Sequence, residues 1–362
     1  MTQMKTANLV VAALASFAGN AMAQTSSVNI YGIIDQGVSR MSGGQSTLTF
    51  LPLALIGRPG TWTMQSATSS RLGFRGTEDL GGGLKASFQI EHRLTPDIGG
   101  TEPRDGALTT IFWNGPTWVG LSGGFGEVRL GRQFVPAAQI GSSSDPWAYD
   151  YNVGGSSGFT RGGNALTMAK NAVGYRTPAL AGFTIEVMVA AGEGGAAAAN
   201  APVGRVGRDE GASVQYRTGS LWVGLGHNNS RQEGTPIKNR YTNLGIAYDF
   251  GFVRPIASYS VGNNNVAGNP DTRTWLIGAT APLGQGQFRT VVARYDAAVG
   301  QNFNAANPSL PAMTGGQDTT KFGLGYQYLL SKRTSVHADV GTAKTEEASR
   351  TTGVEAGIKH MF

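Results

Sequence analysis

The sequence predicts an all-β chain, a closed 16-stranded antiparallel transmembrane β-barrel. Three observations carry that expectation. Short segments in which apolar and polar residues alternate recur from end to end, as strands with two unlike faces require. The links between them alternate between short and long. The chain also ends on an alternating strand closed by an aromatic residue, with Val354, Ala356, Ile358, His360 and Phe362 on one face and Gly353, Glu355, Gly357, Lys359 and Met361 on the other. A soluble edge strand would share the last feature alone, so the remaining elements decide.

The N-terminus reads as an export signal. Lys5 is the only charge before an apolar run from Leu9 to Phe17, and Ala21-Met22-Ala23 follows as a small-residue cleavage site. Residues 1–23 are therefore expected to be removed as a signal peptide, leaving 24–362 as one domain and lowering the formal charge of +6 by the single charge of Lys5. The chain has no cysteine, which excludes a disulfide-stapled secreted domain, and no apolar run near the ~20 residues of a membrane helix. Glycine supplies 54 of 362 residues, about twice its usual share, which suits numerous turns or closely passing backbones. Charges are dispersed without a basic stripe, so no nucleic-acid partner is expected.

The strands follow in order. Val28–Ser39 places Val28, Ile30, Ile34 and Val38 outward and Asn29, Tyr31 and Asp35 inward; Ser70–Gly76 sets Leu72 and Phe74 against Arg71 and Arg75. Thr77–Gly83 makes a tight turn into Leu84–Arg93. Thr117–Ser122, Val128–Phe134, Ala172–Arg176, Phe183–Val189, Ala212–Tyr216 and Leu221–His227 continue the pattern. Tyr241–Phe250, Val253–Ser260, Thr274–Ala281, Phe288–Tyr295, Phe322–Leu329, Val336–Ala343 and Thr352–Phe362 complete an even set, as a closed bacterial barrel needs. Phe322, Tyr326, Tyr328 and Phe362 are expected in outward aromatic girdles, with His360 beside them, and Glu355 and Lys359 in the lumen.

The connections give the strands a direction. Gly123–Gly126, Pro178–Ala181, Gly251, Gly284–Gly286 and Ser331–Arg333 are short, whereas 40–68, 94–110, 135–170, 192–210, 229–240, 262–272, 297–320 and 344–351 are long. One trimmed rim and one elaborated rim are the pattern of short periplasmic turns and long external loops, and a soluble sandwich has no cause for it. The third external link, 135–170, carries Asp145-Pro146-Trp147-Ala148-Tyr149-Asp150-Tyr151 and is the candidate to fold inward and narrow the pore.

Several stretches resemble the general diffusion porins of β-proteobacteria: Ser70–Ala86, Val119–Gln133, Leu330–Thr334, the first strand Val28–Asp35 and the ending Gly357-Ile358-Lys359-His360-Met361-Phe362. They stand in the family's order across the whole mature chain. The resemblance implies a homotrimeric outer-membrane channel, embedded in outer-membrane lipids, that passes small hydrophilic solutes and ions. It also implies an arginine cluster on the barrel wall facing the third loop. Arg71 and Arg132 match that cluster, and Phe362 matches the family's C-terminal closure and assembly residue. Gly115 stands where many relatives have a further arginine, which Arg75, Arg129 or Lys170 could replace.

A charge ring in a narrow aqueous path sets local ion concentration and hence selectivity. Arg71 and Arg75 share an inward face, as does Arg129 between Val128 and Leu130. Strict alternation points Arg132 outward, so a lumen role for it needs a bulge. Asp145 and Asp150 are candidates for the acidic loop and Asp35 for the wall, with ordinary turn aspartates as the competing reading. Gly120-Leu121-Ser122-Gly123-Gly124 matches a nucleophile elbow but enters a hairpin, and the four histidines lack metal-ligand spacing. The expectation is a passive channel of weak to moderate anion preference, without catalytic residues, cofactor or metal. The alternatives are a solute-specific outer-membrane channel and an outer-membrane barrel enzyme.

Overall fold

The computed structural model describes residues 26–42, 60–102, 111–150, 153–156, 167–192, 208–231, 238–264, 272–296 and 318–362. The expected signal peptide lies outside them. The first half of the wall comprises β1 (Ser26–Met41), β2 (Trp62–Gln65), β3 (Ser70–Gly81), β4 (Leu84–Thr95), β5 (Gly100–Thr101), β6 (Thr117–Gly123), β7 (Gly126–Phe134), β8 (Met168–Arg176) and β9 (Phe183–Ala190). The second comprises β10 (Asp209–Thr218), β11 (Leu221–Arg231), β12 (Lys238–Tyr248), β13 (Arg254–Asn264), β14 (Thr272–Leu283), β15 (Gly286–Asp296), β16 (Thr319–Leu329), β17 (Thr334–Thr345) and β18 (Thr351–Met361). One helix, α1 (Pro136–Ser143), follows β7.

Each strand pairs antiparallel with its neighbours, and β18 returns to β1 with Ile33 opposite Met361 and Met41 opposite Gly353. Two staves are interrupted. Both β2 and β3 lie along β1, and both β5 and β6 lie along β4, so the wall is a closed barrel of 16 staves. Neither β2 nor β5 was expected, because strands of four and two residues carry too little alternation to register.

The break between β2 and β3 has a local cause. Asp35 Oδ1 and Oδ2 accept the amides of Ala67 and Thr68 at 3.3 and 3.1 Å, while the Ser66 and Ser70 hydroxyls donate to the Asp35 carbonyl. These bonds replace the missing ladder, as buried backbone groups demand.

The outer face carries Val28, Ile30, Leu72, Val119, Leu130, Ile185, Leu244, Ile277 and Phe322, all largely exposed. The inner face buries Ser39, Glu91, Arg93, Asn243, Ser260, Thr274, Lys321 and Glu355. Apolar outside and polar inside is the reverse of a soluble fold, and internal pairing of the backbone meets the condition for standing in hydrocarbon. Aromatics gather at the short-turn rim. Phe125, Tyr248, Phe250 and Phe252 are exposed there, and the Phe183 and Tyr216 rings lie 4.5 Å apart. The terminal Phe362 belongs to the same rim, exchanging backbone bonds with Gly32 at 3.0 and 3.1 Å. A Cβ on Gly32 would sit 2.2 Å from the Phe362 ring, so glycine leaves the space the terminal aromatic fills.

Boundaries shift in two ways. The strand expected to end at Phe250 ends at Tyr248, because the Asp249 carboxylate accepts the Gly251 amide at 2.8 Å and the Phe250 amide turns back to Val253. Elsewhere strands run further toward the long-loop rim, as in Met168–Arg176 and Arg254–Asn264, where backbone pairing outlasts the apolar alternation.

Candidate functional site

The segment after β7 is placed by its own apolar residues. Val135 and Ala138 pack with Ala169, Met188 and Ala190; Ile140 packs with Trp222, Ala247 and Ile256; Trp147 packs with Leu276, Val291, Ala293 and Tyr295. Val153 closes against Met41 and Ala343. The segment thus touches residues of the inner face from β8 round to β17.

Glycines on the inner face admit it. A Cβ at Gly226 would lie 2.7 Å from the Ala137 Cα, one at Gly245 2.6 Å from the Ser144 Cβ, and one at Gly278 2.6 Å from the Pro146 ring. At Gly323 it would strike the Gly154 carbonyl. Close approach of a second backbone accounts for much of the glycine on these strands. Polar anchors fix the far end. The Trp147 indole donates to Asp339 at 2.7 Å, the Lys321 ammonium donates to the Gly155 carbonyl, and the Thr68 hydroxyl donates to Asp150 at 2.8 Å.

The acidic candidates part company here. Asp145 is buried within the segment's own turn, where Oδ1 accepts the Trp147 amide at 3.0 Å and the Ser156 hydroxyl at 3.2 Å. Burial pushes its carboxyl up to about 6, against the pull of those hydrogen bonds and of Lys321. Asp35 is buried and occupied by the backbone of the β2–β3 break. Asp150 remains partly exposed, with the Lys359 ammonium 3.7 Å from its Oδ2. Burial raises its carboxyl, opposed by Lys359, Thr68, Arg289 and Arg71. Asp150, Thr68, Lys359, Arg289, Asp35 and His337 line one cleft.

Among the basic candidates, Arg71 acts electrostatically on Asp150 and donates Nε to the Ser69 carbonyl at 3.0 Å. Arg75 is exposed with its guanidinium 5.0 Å from the Tyr31 ring centroid. Arg129 pairs with Glu127 at 2.6 Å and lies over Trp118. The outward direction that alternation gives Arg132 is corrected by a bulge. Gly131 adopts φ +128°, and Lys170 and Asn171 together face the single Arg132 across β7 and β8. Arg132 is consequently buried and donates Nε and Nη2 to the Asn114 carbonyl at 3.2 and 3.1 Å. Lys170 is half-buried in that bulge. A side chain at Gly115 would collide with Glu91, whose Oε1 would lie 2.7 Å from its Cβ. That position is closed to an arginine in this chain.

Strand parity places Lys359 in the lumen but does not show its partnership with Asp150. Arg289, Lys321, His337 and Asp339 lie outside the residues singled out from the sequence, although each faces inward beside an outward Phe288, Phe322, Val336 or Ala338. Strand parity exposes such residues one by one; it does not show which neighbours on other strands they meet.

A closed wall, an apolar outer face, a polar inner face and an aromatic rim define an outer-membrane diffusion channel. A family model described as Gram-negative porin matches residues 10–348. This chain belongs to the Gram-negative porin family. It is 31% identical over 391 residues to outer membrane porin protein 32 of Delftia acidovorans, covering 98% of this chain and 99% of that one. An anion-selective porin from Comamonas acidovorans superposes with a TM-score of 0.74 at 28% identity, covering 93% of this chain and 100% of that chain. A trimer form of OmpT from Vibrio cholerae shares the fold, with a TM-score of 0.66 at 15% identity over 93% of this chain and 100% of that one.

Proposed function

We propose that segment 135–156 folds into the lumen as a constriction, and that Asp150 on the segment and Arg71, Lys359 and Arg289 on the wall form its charged rim. The observation that carries this reading is the meeting of Asp150 with Lys359 in a cleft that Arg289 also lines. Asp35 and Asp339 also line the cleft but are held by the Ala67 and Thr68 amides and by the Trp147 indole. The cations Arg71, Lys359 and Arg289 therefore face Asp150 as the partly exposed carboxylate and give small hydrophilic anions an advantage over cations, of the weak to moderate size expected from the sequence. Arg75, Arg129 and Lys170 extend the basic wall at greater distance, and Arg132 supports it from beneath. The solute-specific alternative lacks a stacked or hydrogen-bonded ladder for a sugar or nucleoside among the described residues.

The channel acts passively and takes no cofactor in this reading. The exposed apolar outer face suits lipid and two further copies of the chain, an arrangement also found in the trimer form of the Vibrio protein. Residues 1–23 serve export, residues 24–362 form the barrel domain, and Phe362 guides its closure.

Planar-bilayer recording of the detergent-purified channel tests the proposal. Stepwise conductance is expected, with a zero-current potential in a KCl gradient of the anion-preferring sign and a shift toward cations in Arg71→Ser. Absence of steps would overturn the channel reading. An unmoved potential in the variant would remove Arg71 from the rim.

A further inference from the structure

At the cleft, the barrel closure brings four ionisable side chains together from three strands. His337 and Asp339 come from β17, Glu355 from β18 and Asp35 from β1, and all are buried. The imidazole Nδ1 lies 3.2 Å from Asp339 Oδ2 and 3.9 Å from Glu355 Oε1. One nitrogen and two carboxylate oxygens, one from each residue, all fall within 4.8 Å of one another. On a tetrahedral ion with bonds of about 2.0–2.2 Å, neighbouring ligand atoms stand about 3.3–3.6 Å apart. The two distances from Nδ1 to the carboxylate oxygens fall on either side of that range.

The surroundings are those of a ligand set. The second oxygen of each carboxylate is already engaged: Asp339 Oδ1 accepts the Trp147 indole at 2.7 Å, and Glu355 Oε2 accepts the Gln65 amide at 2.9 Å. Asp339 Oδ2 and Glu355 Oε1 are the oxygens turned to the imidazole. The other ring nitrogen, Nε2, is buried without a hydrogen bond, 3.5 Å from Asp35 Oδ1. Nδ1 itself is in a hydrogen bond with Asp339 Oδ2, which an ionised carboxylate can only accept, so a bound cation takes the place of that proton. Donation from Nε2 to Asp35 then holds the tautomer whose Nδ1 lone pair faces the ion, as the second shell of histidine metal ligands commonly does. Gln65 Oε1 is a further buried acceptor beside the set with no partner. Asp35, Asp339 and Glu355 face the Lys321 ammonium and the His337 ring, and a divalent ion that displaced the Nδ1 proton of His337 would balance the three carboxylates together with Lys321.

We propose that His337, Asp339 and Glu355 form a binding site for a divalent transition-metal cation of the Zn2+ class on the inner wall. Imidazole with two carboxylates suits that class better than Mg2+ or Ca2+, which prefer more oxygen ligands. Bound there, the ion fixes Asp339, and through it the Trp147 anchor of segment 135–156.

The test uses the full-length channel in detergent, stripped with chelator and titrated calorimetrically with ZnCl2, then with MgCl2 and CaCl2. One Zn2+ per chain is expected, with weaker or no Mg2+ and Ca2+ binding and an affinity loss of about tenfold or more in His337→Gln and Glu355→Gln. Heat-modified electrophoretic mobility shows whether each variant has closed its barrel. A triple variant, His92→Gln, His227→Gln and His360→Gln, leaves His337 as the only histidine of the four and is expected to retain binding and the visible absorption of Co2+ bound through imidazole. Failure of the wild-type channel to bind Zn2+, unchanged binding in folded His337→Gln, loss of binding in the triple variant, or tighter binding of Ca2+ than Zn2+ would each overturn the proposal.

Discussion

Replacing Asp150 by Asn removes the one carboxylate of the proposed rim while keeping an acceptor for the Thr68 hydroxyl. Its effect on selectivity can be worked from the geometry. An ion skirting the Asp150–Lys359 pair, itself 3.7 Å across, passes about 6 Å from the carboxylate, where a unit charge in water is worth about 0.7 kcal/mol. Screening in ~0.1 M salt, with a Debye length of ~10 Å, roughly halves that. Anions then gain about twofold in local concentration and cations lose as much, so the anion-to-cation permeability ratio rises about three- to fourfold. In ~1 M salt the change falls below about 1.5-fold. Zero-current potentials in KCl gradients at the two ionic strengths measure both numbers. The wild-type channel should also gain anion preference as pH falls, because protonation removes the same charge and burial sets its pKa above the ordinary carboxylate value. The variant should lack that step. An unchanged ratio at low salt, a shift insensitive to salt, or a titration that persists in Asp150→Asn would refute the assignment.

Arg132→Ser should act on stability more than on selectivity, since its guanidinium is spent on the Asn114 carbonyl. Loss of charged hydrogen bonds costs about 1.5–3 kcal/mol, read as a lower temperature for the heat-induced mobility shift. Gly245→Val would drive a side chain into Ser144, costing about 1–3 kcal/mol and displacing α1, so single-channel conductance should change; Leu244→Val on the exposed outer face should leave it unaltered. Asp145 carries a pH dependence of its own. Burial lifts its carboxyl from the ordinary 3.8 to about 6, so the stabilisation it gives segment 135–156 is complete below ~4 and is lost as pH rises through about 6. Current noise from movement of the segment should therefore grow between those pH values in the wild-type channel and not in Asp145→Asn.

The wall was legible because one residue type in two faced hydrocarbon. That alternation survives in a single sequence wherever a strand crosses the apolar band, and it ordered the staves and assigned Phe362 its rim. It weakens at both ends. Trp62–Gln65 and Gly100–Thr101 are too short to show a period, and β8 extends back to Met168 through a bulge that interrupts it. The same bulge explains Arg132: parity gave the wrong face, and only the resemblance argued for an inward role. The rim was less legible because it depends on distance in space. Thr68 meets Asp150 across 82 residues and Trp147 meets Asp339 across 192, separations that no local pattern encodes.

The three aspartates chosen from the sequence show what physical feature sorts a lining carboxylate from a structural one. Asp35 spends both oxygens on the Ala67 and Thr68 amides, because the β2–β3 stave is broken beside it and buried amides must find acceptors. Asp145 spends one oxygen on the Trp147 amide and the Ser156 hydroxyl inside a turn that the Trp147 ring seals against β14 and β15. In both, the carboxylate answers a backbone demand created by irregular chain, and the field it could offer a passing ion is absorbed by fixed dipoles at bonding distance. Asp150 meets one hydroxyl and one ammonium, both on side chains of the opposite wall. Its partners are groups that a solute anion could itself engage. That difference in partner, and not burial alone, is why we propose Asp150 as the acidic residue of the three that competes with permeating ions for the cations of the wall.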